Sequence, residues 1–189
     1  LYLLRLLSSG ASHTARAALA TTAARTPEAE TQSALQAPLT TLAAWARQQG
    51  HTALAQQCAA YAGNACGGVL CTLPGPTGER NEYRVLPRER VLCLATDNAA
   101  LLNHLAAVLS VGATALWPRT AAALHQQLPA DVQARVQLCD DWQAANASFD
   151  AVLHTGSAQA LQAVCAQVAQ RAGAIVGVTA VAAQGAVPL

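Results

Sequence analysis

The run Val91-Leu92-Cys93-Leu94-Ala95-Thr96-Asp97 gives the strongest indication of the fold class. Five consecutive apolar residues are typical of a short strand that is buried on both faces of a sheet. Thr96 and Asp97 are residues that cap the start of a helix, and the leucines after them recur at helical spacing. A buried strand that leads directly into a helix indicates a βα unit of a parallel sheet.

Further units of the same kind follow along the chain. Apolar runs predict strands over 113–117, 136–139, 151–154 and 174–178, and helices are predicted over 97–109, 121–127 and 157–171, with a turn over 129–135. The inner face of the first of these helices carries Leu101, Leu102, Leu105 and Val108. This alternation predicts an α/β, Rossmann-like domain over 91–189, with about five parallel strands and helices on both faces. Residues 179–189 show no clear pattern.

Residues 1–64 are predicted to form a helical segment. Apolar side chains fall on one helix face at Leu35, Leu39, Leu42 and Trp45, and again at Leu54, Cys58 and Tyr61. Gly50 is the expected end of the first helix and Gly63-Asn64 the end of the second. The polar stretch 21–31 holds Pro27 and predicts a mobile connection. The apolar run 1–7 is too short to span a membrane and predicts a short amphipathic helix.

Residues 65–90 form a turn-rich connector that contains the run LPGPTGERN, residues 73–81. Its two prolines fix φ, and Gly75 and Gly78 permit positive φ, so the run predicts a rigid pair of turns. It lacks the Gly-Lys-Ser/Thr of a phosphate-binding loop. Glu79 and Arg80 are expected at the bend, able to pair with a partner surface, and residues 81–86 predict a short strand that Pro87 ends.

Composition excludes several classes of function. The chain has 189 residues, 11 basic and 10 acidic, and all the basic residues are arginine. Without lysine, neither a P-loop lysine nor a Schiff-base lysine is possible here, and scattered arginines at near-neutral charge argue against a nucleic-acid footprint. Only 11% of residues are charged, which indicates that another protein surface covers part of this one. The absence of methionine leads us to expect a fragment of a larger protein.

The six cysteines predict neither a zinc site nor a disulfide framework. They are Cys58, Cys66, Cys71, Cys93, Cys139 and Cys165, and no pair has C-x-x-C spacing. Free, buried thiols in a reducing cytoplasm are the expectation.

The residues that could carry chemistry do not form a catalytic set. No G-x-G-x-x-G follows the first strand, and Asp97 at the helix start would repel a pyrophosphate. His154-Thr155-Gly156-Ser157 is interpreted as a tight turn with a serine N-cap, His104 and His154 as packing residues, and Asp140-Asp141 as capping or solvated carboxylates. We therefore predict no catalytic, cofactor-binding or metal-binding residue. The alternative is an NAD-type nucleotide-binding domain with an atypical phosphate loop.

The run LPGPTGERNEYRVLPRERVLCL, residues 73–94, resembles the C-terminal region of the proline utilization A family. The likeness continues through 105–112, 115–118 and 149–152, and the opening residues 1–7 resemble the segment after the last glycine-rich stretch of the aldehyde dehydrogenase module. It covers nearly the whole chain, although residues 16–64 match only in character and their conformation stays open.

The resemblance implies a bifunctional parent enzyme that oxidises proline to glutamate with FAD and NAD, while this segment carries no cofactor. It implies a non-catalytic domain, similar to an inactive aldehyde dehydrogenase nucleotide-binding domain, that packs on the dehydrogenase module and helps close the substrate-channelling path. The expected interface residues are Gly75, Pro76, Thr77, Gly78, Glu79, Arg80 and Asn81. The parent is expected to be a cytoplasmic homo-oligomer, peripheral at the inner face of the membrane in some cases, and to contact nucleic acid only through a separate N-terminal segment.

Overall fold

The computed structural model describes residues 29–64, 70–84, 86–182 and 185–187. The predictions for residues 1–7 and for most of 21–31 therefore lie outside the described residues. The helices are α1 Ala29–Gln48, α2 Thr52–Asn64, α3 Asn98–Ser110, α4 Ala122–His125, α5 Ala130–Gln133 and α6 Ala158–Ala169. The strands are β1 Leu70–Leu73, β2 Asn81–Arg84, β3 Arg90–Ala95, β4 Thr114–Pro118, β5 Val136–Cys139, β6 Ala151–Thr155 and β7 Gly177–Ala180.

The predicted parallel sheet is confirmed. Its five strands lie in the order β5-β4-β3-β6-β7, and every neighbouring pair is parallel. The chain first moves outward from β3 through β4 to β5, then returns to the other side of β3 with β6. The strand order thus reverses between β3 and β6, and such a switch point is where open α/β sheets bind their ligands.

Helices cover both faces of this sheet because its strands alternate their side chains between two cores. One core joins Cys93, Trp117 and Leu153 of the sheet to α1, α2 and α3. The other joins Leu92, Leu116 and Val152 to α6 through Val164 and Val168. The three inner strands β3, β4 and β6 therefore bury apolar residues on both sides, as their continuous apolar runs predict. The edge strands β5 and β7 are less buried.

The two N-terminal helices pack as the spacing predicts. Leu39 and Leu42 of α1 and Cys58 and Tyr61 of α2 are buried in the same core as α3. Gly50 has φ of 77° and lies in the turn between the helices, a conformation that glycine adopts at little cost. Helix α1 already begins at Ala29, so the last residues of the predicted mobile connection are helical.

The fifth strand lies three residues later than predicted. Ile175, in the apolar run that suggested a strand over 174–178, is 99% exposed, and the paired residues are Gly177 to Ala180. Residues 170–176 are needed to return the chain from α6 to the amino edge of the sheet, with Gly173 at φ of 103°. The position of β7 is therefore set by its pairing with β6 and not by the most apolar part of the sequence run. The predicted turn over 129–135 likewise contains a short helix, α5.

The turn before β6 is held to the amino end of β3. The Asp150 carboxylate accepts hydrogen bonds from the backbone N–H groups of Glu89 and Arg90, both at 3.0 Å. Next to it, Phe149 is buried and the Arg171 guanidinium stacks over its ring at 4.4 Å. Residues 149–152 thus fix the two central strands to each other.

Candidate functional site

The helix that follows β3 begins with a carboxylate where a dinucleotide fold presents glycine. Asp97 is the N-cap of α3, and its Oδ1 accepts a hydrogen bond from the Ala100 N–H at 2.8 Å. The side chain therefore uses a helix N-terminal donor that would otherwise meet a phosphate, and it adds a negative charge. The residues present do not fit a pyrophosphate at this position.

The turn after β6 is also closed by its own residues. Ser157 caps α6, accepting from the Ala160 N–H at 3.1 Å. A Cβ on Gly156 would come within 2.8 Å of Cε1 of His154, so this glycine makes room for the imidazole. Burial lowers the pKa of His154. Gly156 thus allows the His154 ring to pack against the turn. The Ser157 cap agrees with the prediction from the sequence.

A second histidine, remote in sequence, contributes to the same edge. His104 of α3 is fully buried, and its Nε2 lies 2.9 Å from Oγ1 of Thr155 at the end of β6. The Thr155 hydroxyl donates its hydrogen to the Val181 carbonyl at 3.1 Å, so it accepts from a protonated Nε2. His104 Nδ1 is then an unprotonated acceptor, and it has no partner among the described residues. Burial, and secondarily the nearby His154, lower the pKa of His104 to about 4.

A further polar contact joins Tyr61 to Asn103, the residue before His104. The sequence placed Tyr61 on an apolar helix face and did not mark Asn103. The Tyr61 hydroxyl donates to Asn103 Oδ1 at 3.2 Å, linking α2 to α3. No sequence signal predicts the hydrogen bonds of Tyr61, Asn103 and Thr155, because their partners are between 26 and 126 positions away.

The carboxylates after β5 make local contacts. Asp140 forms an ion pair with Arg119, which follows β4, and this bond lowers the pKa of Asp140. Asp141 accepts from the Gln143 N–H at 2.8 Å. The Asp141 contact matches the predicted capping role, whereas the ion pair of Asp140 was not predicted.

The four cysteines whose side chains the structure describes are free thiols. Cys58 and Cys93 are buried, Cys139 is half-buried and Cys165 is exposed; the prediction that all the thiols are buried is therefore wrong for Cys165, which lies on the outer face of α6. Burial raises the pKa of Cys58 to about 11 and raises that of Cys93 further, which makes both poor nucleophiles. Within the described ranges, no group of three or more metal-ligating side chains comes together.

The run LPGPTGERN forms the tip of an antiparallel hairpin that the sequence did not predict in full. Strand β1 pairs with β2, with Leu73 opposite Asn81. In the loop, the Glu79 N–H donates to the Pro76 carbonyl at 3.1 Å, and Gly78 has φ of 92°, which describes a turn with glycine at its third position. One turn of the predicted pair is thus observed, over residues 76–79, and of the two glycines only Gly78 has positive φ.

Two further contacts shape the loop. A Cβ on Gly75 would lie 2.7 Å from Asn81 Nδ2, so the Asn81 amide folds over this glycine. Arg80 forms an ion pair with Glu82 of β2. The side chains of residues 72–83 are exposed, and Glu79 and Arg80 stand at the bend as expected.

One face of the hairpin is apolar. Residues that pair across an antiparallel ladder point to the same side, and so do residues two apart on one strand. Leu73 therefore shares a face with Asn81 and Tyr83. Leu73 is 39% exposed and Tyr83 53% exposed, so this face presents apolar surface to solvent.

Comparison with known proteins places the chain in a family. No protein-family model matches it. The bifunctional protein PutA of Salmonella typhimurium is 45% identical over 181 residues, which is 94% of this chain. PutA of Escherichia coli is 43% identical over 183 residues, also 94% of this chain. The chain belongs to the proline utilization A (PutA) family. It spans about 14% of the length of these curated relatives.

Solved structures support the fold. A structure of PutA with proline bound in remote sites superposes with a TM-score of 0.55 at 21% identity, over 91% of this chain and 21% of that one. A salicylaldehyde dehydrogenase from Pseudomonas putida G7 gives 0.53 at 17% identity, over 78% of this chain and 39% of that one. The sheet is therefore that of PutA and of aldehyde dehydrogenases. None of the helices described here is long and apolar enough to cross a bilayer.

Proposed function

We propose that this chain is a non-catalytic covering domain of a PutA enzyme, which packs on the aldehyde dehydrogenase module and helps close the path between the two active sites. The observation that carries the proposal is the Asp97 cap. A Rossmann-like sheet of the PutA family holds a carboxylate on the helix terminus where its relatives' fold type would bind a pyrophosphate. In this proposal the Rossmann-like fold packs against the dehydrogenase module and does not bind a nucleotide.

The docking surface of this domain is the hairpin, with the apolar face of Leu73 and Tyr83 and the tip residues 75–81. Strands β1 and β2 pair with each other and lie outside the five-stranded sheet. The positive φ of Gly78 and the Asn81 amide over Gly75 hold the tip in one shape, so little conformational entropy is lost when it packs. The occupant is the dehydrogenase module of the same parent chain, since the segment spans only about 14% of its relatives.

The remaining properties follow from the parent enzyme. FAD and NAD act in its proline dehydrogenase and glutamate-semialdehyde dehydrogenase modules, and this domain binds neither. The parent works in the cytoplasm as a homo-oligomer, in some cases at the inner face of the membrane, and any nucleic acid is bound by a separate N-terminal segment.

The test uses the intact parent enzyme with Leu73 and Tyr83 both changed to Asp. Proline-dependent NADH formation should then show a longer lag before steady state, because the intermediate escapes, while the two half-reactions assayed separately keep their rates. The paired change of Leu73 to Val and Tyr83 to Phe keeps the apolar surface and should leave the lag unchanged. An unchanged lag in the Asp variant, together with saturable NAD binding by the 189-residue chain, would favour the nucleotide-binding alternative.

A further inference from the structure

A surface cavity of about 340 Å³ lies at the amino edge of the sheet, opposite the switch point. It is lined by Arg88, which precedes β3, by residues 145–150, which precede β6, and by Arg171 and residues 174–176, which precede β7. Open α/β sheets bind nucleotides at the carboxyl ends of their strands. A ligand of this cavity therefore belongs to another chemical class.

The cavity carries an excess of positive charge. Arg171 is held in place by backbone carbonyls, which leave its charge without a counter-ion, and Arg88 is exposed. Neither arginine forms an ion pair with a carboxylate in the part of the chain that the structure describes. Asp150 is the acidic residue of the lining, and its carboxylate already accepts from the N–H groups of Glu89 and Arg90. Two positive charges thus face one negative charge, which favours an added carboxylate.

Exposed apolar side chains lie beside these charges. Ile175 lines the cavity and is 99% exposed, and Leu86, two positions before Arg88, is 74% exposed. Within the described ranges four large hydrophobic residues are exposed, and the other two, Leu73 and Tyr83, form the apolar face of the hairpin. Arginine and large apolar side chains are the residues that anchor protein interfaces. The amino edge therefore has the composition of an interaction surface.

We propose that the cavity and Ile175 form a second docking surface, which takes an acidic segment of the parent's dehydrogenase module. A carboxylate of that segment lies against Arg88 and Arg171, and an apolar side chain next to it packs on Ile175. This proposal rests on the proposed function, because its occupant is the module that docks on the hairpin.

The position of the cavity suits a continuous interface with the hairpin. Arg88 follows the last residue of β2 by four positions, so the two lie within about 14 Å of each other along the chain. A standard interface buries about 800 Å² on each partner, which is wide enough to include both. One body that rests on the hairpin can therefore also fill the cavity.

Thiol labelling of the intact parent enzyme tests the second surface. Ile175→Cys should react with a maleimide at least about tenfold more slowly in the parent than in the 189-residue chain, as mass spectrometry of that peptide measures. Arg88→Glu in the same parent should raise the rate about tenfold, because it sets like charges against each other. Arg88→Lys keeps the positive charge and should leave labelling slow. Equal rates for the Glu and Lys variants would exclude the carboxylate contact.

Tyr83→Cys, on the hairpin, separates this proposal from the covering function. If Tyr83→Cys is protected in the parent but Ile175→Cys reacts as fast as in the 189-residue chain, the second surface is wrong and hairpin docking stands. If both thiols react at the rates of the 189-residue chain, the module covers neither surface and the proposed function fails as well. Slow labelling of Ile175→Cys in the 189-residue chain itself would show that this chain provides the cover, which also overturns the proposal.

Discussion

His104 Nε2 and Thr155 Oγ1 lie 2.9 Å apart in the buried interior, joining the middle of α3 to the end of β6. The Thr155 hydroxyl in turn donates a hydrogen bond to the Val181 carbonyl. The pair therefore fixes the tautomer of the histidine and connects a helix, a strand and the segment that follows β7 in one chain of hydrogen bonds.

The burial of His104 predicts acid sensitivity. Its pKa is lowered to about 4 in the folded chain, against about 6.5 for an unfolded histidine. The unfolded state thus binds the proton more readily, so this stabilisation is fully present above pH 6.5 and is lost as the pH falls toward 4. The free energy of unfolding should fall by up to about 1.4 kcal/mol per pH unit in that window from this group alone. Urea titrations between pH 7 and 4 measure the slope.

His104→Gln supplies the control for that slope. Glutamine can still donate to Thr155 but does not titrate, so the variant should show a shallower loss of stability between pH 6.5 and 4. Equal slopes for the two proteins would show that His104 does not carry the effect.

Removal of the Asp97 cap should cost stability without creating a cofactor site. Asp97→Ala leaves the Ala100 N–H without its acceptor and should lower the free energy of unfolding by about 1 kcal/mol. Asp97→Asn keeps an acceptor for the Ala100 N–H and should lower the free energy of unfolding by only a few tenths of a kcal/mol. Ser157→Ala, at the start of α6, is the parallel change and should cost a similar amount. Chemical denaturation measures all three, and NAD titration of Asp97→Ala should show no saturable binding.

Gly78 should affect docking more than folding. Its φ of 92° lies in the left-handed region, and alanine there costs about 1–2 kcal/mol locally. Because the hairpin lies outside the main sheet, Gly78→Ala should leave the global unfolding transition nearly unchanged. In the parent enzyme it should lengthen the lag in proline-dependent NADH formation. Gly50→Ala introduces comparable backbone strain outside the hairpin, at a φ of 77°, and should leave the lag unchanged. An equal lag in the two variants would argue against a role for the turn shape.

Arg171 should be the arginine that matters most for stability on the amino side of the sheet. Its guanidinium donates to the carbonyls of Trp142, Ala144 and Ala147 and stacks on Phe149. Arg171→Ala removes all of these contacts and should lower the free energy of unfolding by about 2 kcal/mol.

Arg88 and Arg171 both line the surface cavity of about 340 Å³, but the side chain of Arg88 is exposed. Arg88→Ala is therefore the matched control for Arg171 and should change stability by less than about 0.5 kcal/mol. Thermal or urea unfolding of the two variants decides the point, and equal losses would show that the carbonyl contacts of Arg171 contribute little.

Elements with a local signal could be predicted from the amino-acid sequence alone. The apolar run at β3, the Asp97 and Ser157 caps, and the helix faces of Leu39 and Leu42 and of Cys58 and Tyr61 each depend on neighbours within a few positions. The absence of a glycine fingerprint after β3 was also readable directly, since a phosphate loop is a contiguous motif. These features gave the α/β class and the lack of a recognisable dinucleotide loop.

Features that depend on residues far apart in the chain became visible only in the folded molecule. The position of β7 follows from its register with β6, and β1 is recognisable as a strand only through its pairing with β2. The assembly of His104, Thr155, Asn103 and Tyr61 around the segment that follows β7 joins residues up to 126 positions apart. Hydrogen bonds at such separations leave no periodicity in the chain, because their geometry exists only after the helices have packed on the sheet.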